Sequence, residues 1–339
     1  MRRRRIKIFS LCFAVLAMVF FVILLLRIIR VKRELSIKNF IAQEGNFFSN
    51  VEFKVYSKNE KRINLRCDKI KAIDKNNYIL HNSISNFELS NGETGSISAN
   101  TTNIEYGDQT KYRFIGNVKL KTQSGLSAQT EEALADLDKK IIEGSQNVLI
   151  SHSNATVVSR QYLYNMGNNT LTLVDDVNGS FKKSKIKCQK LTVFFEDGTK
   201  TIKTLEAIGN AVCNSENYSL NATQILYSVD SVVAKNNAIL LYKKDGVEYN
   251  VSADFMSSDI DNNGILKNTQ AEGHLMIKTK NIAAQADKGI MKGDKITLFN
   301  NVVISGKNGN ILGENATLDI KNEDVFIDKS SGVIKNGTK

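Results

Sequence analysis

The side chains able to do chemistry in this chain are few and scattered. Its three histidines, His81, His152 and His274, lie far apart, and none has a cysteine or acid at the spacing of a metal site. Each reads as a surface or turn histidine. Of the four cysteines, Cys12 falls in a greasy N-terminal stretch, while Cys67, Cys188 and Cys213 are isolated. There is no CxxC, and the spacing assigns no disulfide. Asp and Glu follow turn residues rather than pairing about a cleft. GxSxG, P-loop and GxGxxG motifs are all missing. These residues predict no metal, no cofactor and no catalytic set. A carboxylate enzyme on a β-helix carries no short motif, so that class stays open as the least supported.

Composition narrows the classes further. With 339 residues, 42% hydrophobic and 24% charged, the chain is too apolar for wholesale disorder, and Pro 0 excludes collagen-like and Pro-rich designs. Genome base content explains the missing proline as well as any structural demand does. The net charge of +11 is local. Nine basic residues and no acid lie in residues 1–33, which leaves 37 basic against 35 acidic residues beyond them. A phosphate-binding surface needs positive charge on the folded domain, so nucleic acid is not the expected partner.

The basic residues flank an uninterrupted apolar run, Ile8 to Leu26, in which only Ser10 and Cys12 are weakly polar. Nineteen helical residues rise about 28 Å, close to a bilayer's hydrocarbon core. Arg2 to Arg5 precede the run, and Arg27 to Arg33 follow it without a small-residue cleavage site. The stretch predicts an uncleaved signal anchor, a helix over about residues 8–30, within an N-terminal unit of residues 1–33. A buried core helix fits the four arginines poorly. The positive bias puts the N-terminus in the cytoplasm and the remainder beyond the membrane.

From Glu34 onward the pattern alternates at period two between Gly, Asn and Asp clusters, as half-buried antiparallel strands do. Thr130 to Lys140 carries enough acids to suggest a helix, but Ala133, Ala135 and Leu137 alternate too, and strand is the expectation. A phrase of the form apolar-x-small recurs nine times. Its small positions are Cys67, Ala99, Ala128, Ser159, Cys188, Ala222, Ala253, Ala284 and Gly313, about 31 residues apart. Between them stand Gly116-Asn117-Val118, Gly144 to Val148, Gly209-Asn210-Ala211-Val212, Gly273-His274-Leu275 and Asn300-Asn301-Val302. Each unit predicts two strands that cannot bury their apolar face alone and must stack. An open antiparallel roll and a parallel β-helix both satisfy this. Asp-Gly and Asn-Gly hairpin signals favour the roll. One small residue per unit marks a sharp bend or a close approach of two walls.

The anchor and these ordered phrases resemble the lipopolysaccharide-export proteins of Gram-negative bacteria. From about Ile37 to Phe181 the chain resembles LptC, through Ile97-Ser-Ala99, Phe114-Ile-Gly116-Asn117-Val118-Lys-Leu120 and Leu126-Ser-Ala128. From about Ile186 to Ile327 it is similar to the LptA/OstA family, through Leu205-Glu-Ala207-Ile-Gly209-Asn210-Ala211-Val212, Leu220-Asn-Ala222, Ala271-Glu272-Gly273-His274-Leu275 and Asn315-Ala316-Thr317-Leu318. Those families are usually separate chains, whereas here both patterns follow one anchor.

The resemblance implies an all-β, elongated, open-ended antiparallel β-jellyroll, divided into an LptC-like unit over 34–182 and an LptA/OstA-like unit over 183–339. It implies a non-enzymatic conduit, single-pass in the cell inner membrane with its bulk periplasmic, that carries lipopolysaccharide toward the outer membrane. Acyl chains would lie in an apolar trough, for which the alternation offers Val118, Leu120, Leu149, Leu173, Val212, Leu240, Leu275, Ile277 and Val303. A closed sheet core uses the same alternation. Docking would proceed by strand addition. One edge, with Ile37, Phe53 and Val55, would meet the jellyroll of an inner-membrane ABC transporter complex. The other, with Ile311, Leu318, Val325 and Ile327, would meet the next bridge component, LptA-like or an outer-membrane LptD-like protein. An anchored β-solenoid adhesin or scaffold is the alternative.

Overall fold

A computed structural model describes residues 47–331, apart from short loop stretches at 57–61, 89–93, 108–109, 137–138, 154, 182, 197–200, 245, 262–264, 307–308 and 323. The anticipated membrane helix and Ile37 lie outside the described residues. Among the described residues no helix is long and apolar enough to cross a membrane.

The described chain is all β. Its first strands are β1 (Phe47–Tyr56), β2 (Arg62–Ala72), β3 (Asn77–Glu88), β4 (Thr94–Glu105), β5 (Lys111–Thr122) and β6 (Ser127–Asp136). Four short strands follow: β7 (Ile141–Gly144), β8 (Val148–His152), β9 (Ala155–Ser159) and β10 (Gln161–Asn165). Next come β11 (Thr170–Phe181), β12 (Ser184–Phe195), β13 (Ile202–Asn214), β14 (Tyr218–Ser228), β15 (Ser231–Lys244) and β16 (Val247–Ile260). The last are β17 (Leu266–Lys278), β18 (Ala283–Lys292), β19 (Lys295–Gly306), β20 (Gly309–Asp319) and β21 (Asp324–Ser331). Thr130 to Lys140 thus begins within a strand, as its alternation predicts.

Every described pairing is antiparallel, and the long strands pair with their neighbours in sequence, so the sheet is a meander and not a parallel β-helix. The recurrence of about 31 residues is two strands with their turns. Ladder pairing continues across the expected boundary at 182/183, where β11 meets β12 from Thr170↔Phe194 to Phe181↔Ser184.

Gly116-Asn117, Gly209-Asn210, Gly273-His274 and Asn300-Asn301, which read as signals between strands, lie in the middle of them. With Asp175-Asp176 and Asn236-Asn237 they form consecutive left-handed pairs, φ between 46° and 81°. Each pair is a bulge opposite one residue of the following strand. Gly116-Asn117 faces Glu131, Gly209-Asn210 faces Thr223, and Asn300-Asn301 faces Glu314, judged by the registers on either side. Such bulges bend and twist a strand. Asn, Asp and Gly accept left-handed backbone at least cost.

The bend divides each long strand into two half-strands, and the halves build two walls. One wall contains the second halves of β11, β13, β15, β17 and β19 with the first halves of β12, β14, β16, β18 and β20. The other wall contains the remaining halves. In β7–β8 and β9–β10 the bend has become a break, at 145–147 and at Arg160, so these four short strands are two bent ones.

At the bend the partner strand turns two successive side chains outward. In β14 the buried residues run Tyr218, Leu220 and Ala222, then Ile225 and Tyr227. The small positions occupy this corner. Cys67 pairs with Val51, Cys188 with Val177, Ala222 with Ala211, and Ala253 with Ala238. In two units the corner residue lies two places beyond the expected one: Thr130 rather than Ala128 pairs with Val118, and Ala286 rather than Ala284 pairs with Leu275.

Two substitutions test the corner. Asn210→Val places a β-branched residue at φ 47° and is expected to cost about 1–2 kcal/mol, while Asn210→Gly stays near neutral. Ala238→Leu, at a fully buried corner position, is expected to cost about 1–3 kcal/mol by overpacking. Urea unfolding midpoints measure all three.

Candidate functional site

The interior between the two walls is the feature most able to hold a ligand. It is graded by size. Alanine, cysteine, serine and threonine line the corner. Tyr112, Tyr218 and Tyr249 begin their strands, and Phe195, Tyr227 and Tyr242 end or nearly end theirs, so rings gather at the ends away from the bend. The cross-section is a wedge, narrow at the vertex and aromatic at the rim.

Across the rim the walls touch through side chains. The Phe181 and Tyr227 rings meet edge to face with centroids 5.4 Å apart, and His152 stands edge-on to Phe195 at 6.3 Å. Tyr249 donates its hydroxyl to Met291 Sδ at 2.7 Å. Near the vertex, the Ser83 and Thr102 hydroxyls lie 2.5 Å apart. Gly289 leaves room for Leu275 from the opposite wall, whose Cδ2 would come 2.6 Å from a Cβ at that position.

The alternation placed six of its nine trough candidates correctly with respect to this interior. Val118, Leu120, Leu173, Leu240, Leu275 and Ile277 are buried in it. Leu149 faces outward and is 41% exposed, between buried Val148 and Ile150. Val212 and Val303 also face outward, flanked inside by Ala211 and Cys213 and by Val302 and Ile304. The cause is local. The first residue after the left-handed pair points inward, as Val118, Ala211, Leu275 and Val302 do, and the second points away. Sequence reasoning missed Ala211, Cys213, Val302 and Ile304, for which the position of the Gly-Asn or Asn-Asn pair was the available signal.

The interior carries no buried charge among the described residues. Its polar members are serines and threonines: Ser83, Ser85, Thr102, Thr130, Ser159, Ser184, Ser258 and Thr269. Burial pushes the thiols of Cys67, Cys188 and Cys213 up to about 11 and Tyr227 up to about 12. Tyr106, Tyr162, Tyr218 and Tyr249 are raised further by the same desolvation. At neutral pH these thiols and phenols are therefore uncharged.

The walls are closed. A cavity of about 40 Å³ lies where β8 and β9 meet β11, β12 and β13, and another of about 20 Å³ lies between Leu240, Val251 and Met291. Small-molecule sites are typically about 300 Å³ or more, so a lipid chain enters only if the walls part.

The outside of the corners is polar and internally paired. Asn82 donates to Asp68 at 2.8 Å, Asn301 to Asp287 at 2.8 Å, and His274 Nδ1 lies 2.7 Å from Asp254 Oδ2. That carboxylate raises the His274 pKa above its ordinary value, so the pair's small contribution holds below about 6.5 and fades as pH rises through the raised value. His81 is exposed and His152 half-buried. Among the described residues no three potential ligands converge on a metal position.

Two strands have one partner each among the described residues. β1 pairs with β2 and β21 with β20. Phe53 and Val55 lie on β1, and Val325 and Ile327 on β21, as edge positions should. Leu318 does not, and Ile311 pairs with Ile304 alone among the described residues. They lie on β20, which is hydrogen-bonded to β19 and β21, because the hairpin after Asp319 adds one more strand. Phe326 on β21 is 63% exposed.

The thiols report on the closure of the interior. In a Cys12→Ser chain, Cys67, Cys188 and Cys213, all free and buried, are expected to resist Ellman's reagent under native conditions and to react together on unfolding. Fast native reaction of any of them would mean that the walls stand open. Comparison of the chain with protein-family models and with the sequences of characterised proteins returns no match.

Proposed function

We propose that the chain is a membrane-anchored, non-enzymatic conduit that shelters lipopolysaccharide acyl chains between the inner and outer membranes. One observation carries this reading: an uncharged apolar interior extends through successive bent strands and ends in two strands that each have one partner among the described residues. Each methylene that leaves water is worth about 0.8 kcal/mol, so a multi-acyl lipid needs continuous apolar cover and no chemistry. The apolar run at residues 8–26 and its basic flanks supply the anchor in this reading. Its partners are an inner-membrane ABC transporter complex with a periplasmic jellyroll at one edge and an LptA-like or LptD-like component at the other.

The closed interior favours a second reading, an anchored β-scaffold, and photo-crosslinking separates the two. A photoreactive residue at Leu120, Leu240 or Leu275 is expected to give lipid A adducts in cells, while the outward positions Leu149, Val212 and Val303 give none. Adducts at no interior position, or equally at both sets, would overturn the conduit.

Docking has its own test. Proline at Val325 or Ile327 removes a backbone donor from β21 and is expected to abolish pull-down of the next bridge component. The same substitution at Val229, in the tight β14–β15 turn, leaves pull-down intact. Undiminished capture by the β21 variants would exclude strand addition there.

A further inference from the structure

The wall is interrupted at one place. β8 and β9 are five residues each, where the other strands on that wall run through the corner without a break. β9 joins β11 over four positions, 155–158, and β8 joins β6 over four, 127–130. Both bent strands are severed at their corners, at 145–147 and at Arg160. Half-strands elsewhere on this wall pair over as few positions, but they continue through the bend into the other wall; a half-strand cut off at its corner is held by its own ladder alone and opens at lower free energy.

The cavity of about 40 Å³ lies directly behind these strands, lined by Ile150, Val157, Phe181, Phe195 and Leu205 with His152 among them. Thr156 and Ser180 also line it, their hydroxyls paired with each other at 2.8 Å, whereas His152 Nδ1 is buried without a hydrogen-bond partner. A buried, unpaired polar atom costs about 1–3 kcal/mol, which an incoming polar group recovers. On the outer face Leu149 stands opposite Val158, and both are about two-fifths exposed, so apolar surface continues on the outside of the same strands.

We infer that β8 and β9 form a yielding section of wall through which a single fatty acyl chain is admitted, its hydrocarbon against Ile150, Val157, Phe181 and Phe195 and its carbonyl end hydrogen-bonded to His152 Nδ1. The ligand's class rests on the conduit reading. The place of admission rests on the cavity, the broken strands and the unpaired imidazole nitrogen. Binding widens the cavity by displacing β8 and β9 while the flanking long strands stay paired.

The chain has Trp 0, so one introduced tryptophan reports on one place. Full-length protein in detergent carries Phe195→Trp beside the cavity or Tyr249→Trp far along the interior, with Phe181→Trp replacing the first should Phe195→Trp lose its far-ultraviolet circular dichroism. Dibromostearate is the quencher and stearate the control. Expected is saturable quenching of the cavity tryptophan by dibromostearate, little at position 249, and binding weakened about five- to tenfold by His152→Leu, the worth of one hydrogen bond. Quenching at 249 alone, or equal quenching at both, overturns admission at β8 and β9 and leaves the conduit standing. Quenching at neither removes the fatty acyl ligand from both readings. A micellar phospholipid with brominated acyl chains then identifies the source. Quenching by it shows that lipid-borne chains enter, and quenching by dibromostearate alone shows that the site takes free fatty acid. Both support the site.

Discussion

Two left-handed residues set against one polar residue are the constraint on which this architecture depends. Each non-glycine residue held left-handed costs about 1–2 kcal/mol, and Asn, Asp and Gly hold most of these positions because they pay least. Side chains return part of that cost, since Asp68, Asp254 and Asp287 reach across to Asn82, His274 and Asn301. In exchange the strand bends at its midpoint, and one strand serves two walls. Repeated along the meander, the bend makes a wedge where straight strands would have left a flat, one-sided sheet in need of a second layer.

The wedge explains the distribution of residue sizes. At the vertex the walls are joined by backbone and approach closely, so Ala211 with Ala222 and Ala238 with Ala253 are the volumes that fit. Toward the rim the walls diverge, and tyrosine and phenylalanine fill the gap. Their hydroxyls find partners where they can, as Tyr249 does with Met291 and Tyr162 with the Glu132 carbonyl. Burial keeps the phenols and thiols of this interior in their neutral forms, so they add no charge to it.

Strand type, antiparallel pairing and the two-strand repeat were legible because they depend on local alternation and on a spacing that recurs nine times. Bends were legible only in part. Gly116-Asn117 and Asn300-Asn301 look like hairpin turns, since the same left-handed preference serves a turn between strands and a bulge within one. Only pairing on both sides separates the two. That ambiguity misplaced Val212 and Val303 on the inner face, and it left Asp175-Asp176 and Asn236-Asn237 unread; Leu149 instead follows the break at 145–147. Placement of Leu318 at an edge failed for another reason: the final strand, β21, needed a short turn at Asn322 that carries no glycine. The broken strands β7 to β10 gave no signal, because the sequence period runs through Ser159 undisturbed.

The wedge also bears on how a closed interior can still take a chain of hydrocarbon. Ladder hydrogen bonds run along each wall, between half-strands of the same wall, and none of the described pairings joins one wall to the other away from the corner. Across the rim the walls are held by ring edges, a hydroxyl–sulfur contact and dispersion. Spreading the rim therefore exchanges one set of apolar contacts for another when an acyl chain enters, and the only backbone ladders that yield are those of β8 and β9. In water without a ligand the same spreading would expose those rings and cost in proportion to the apolar area uncovered. A wedge hinged at its vertex is accordingly closed when empty and opens only as far as a guest replaces what the rings lose.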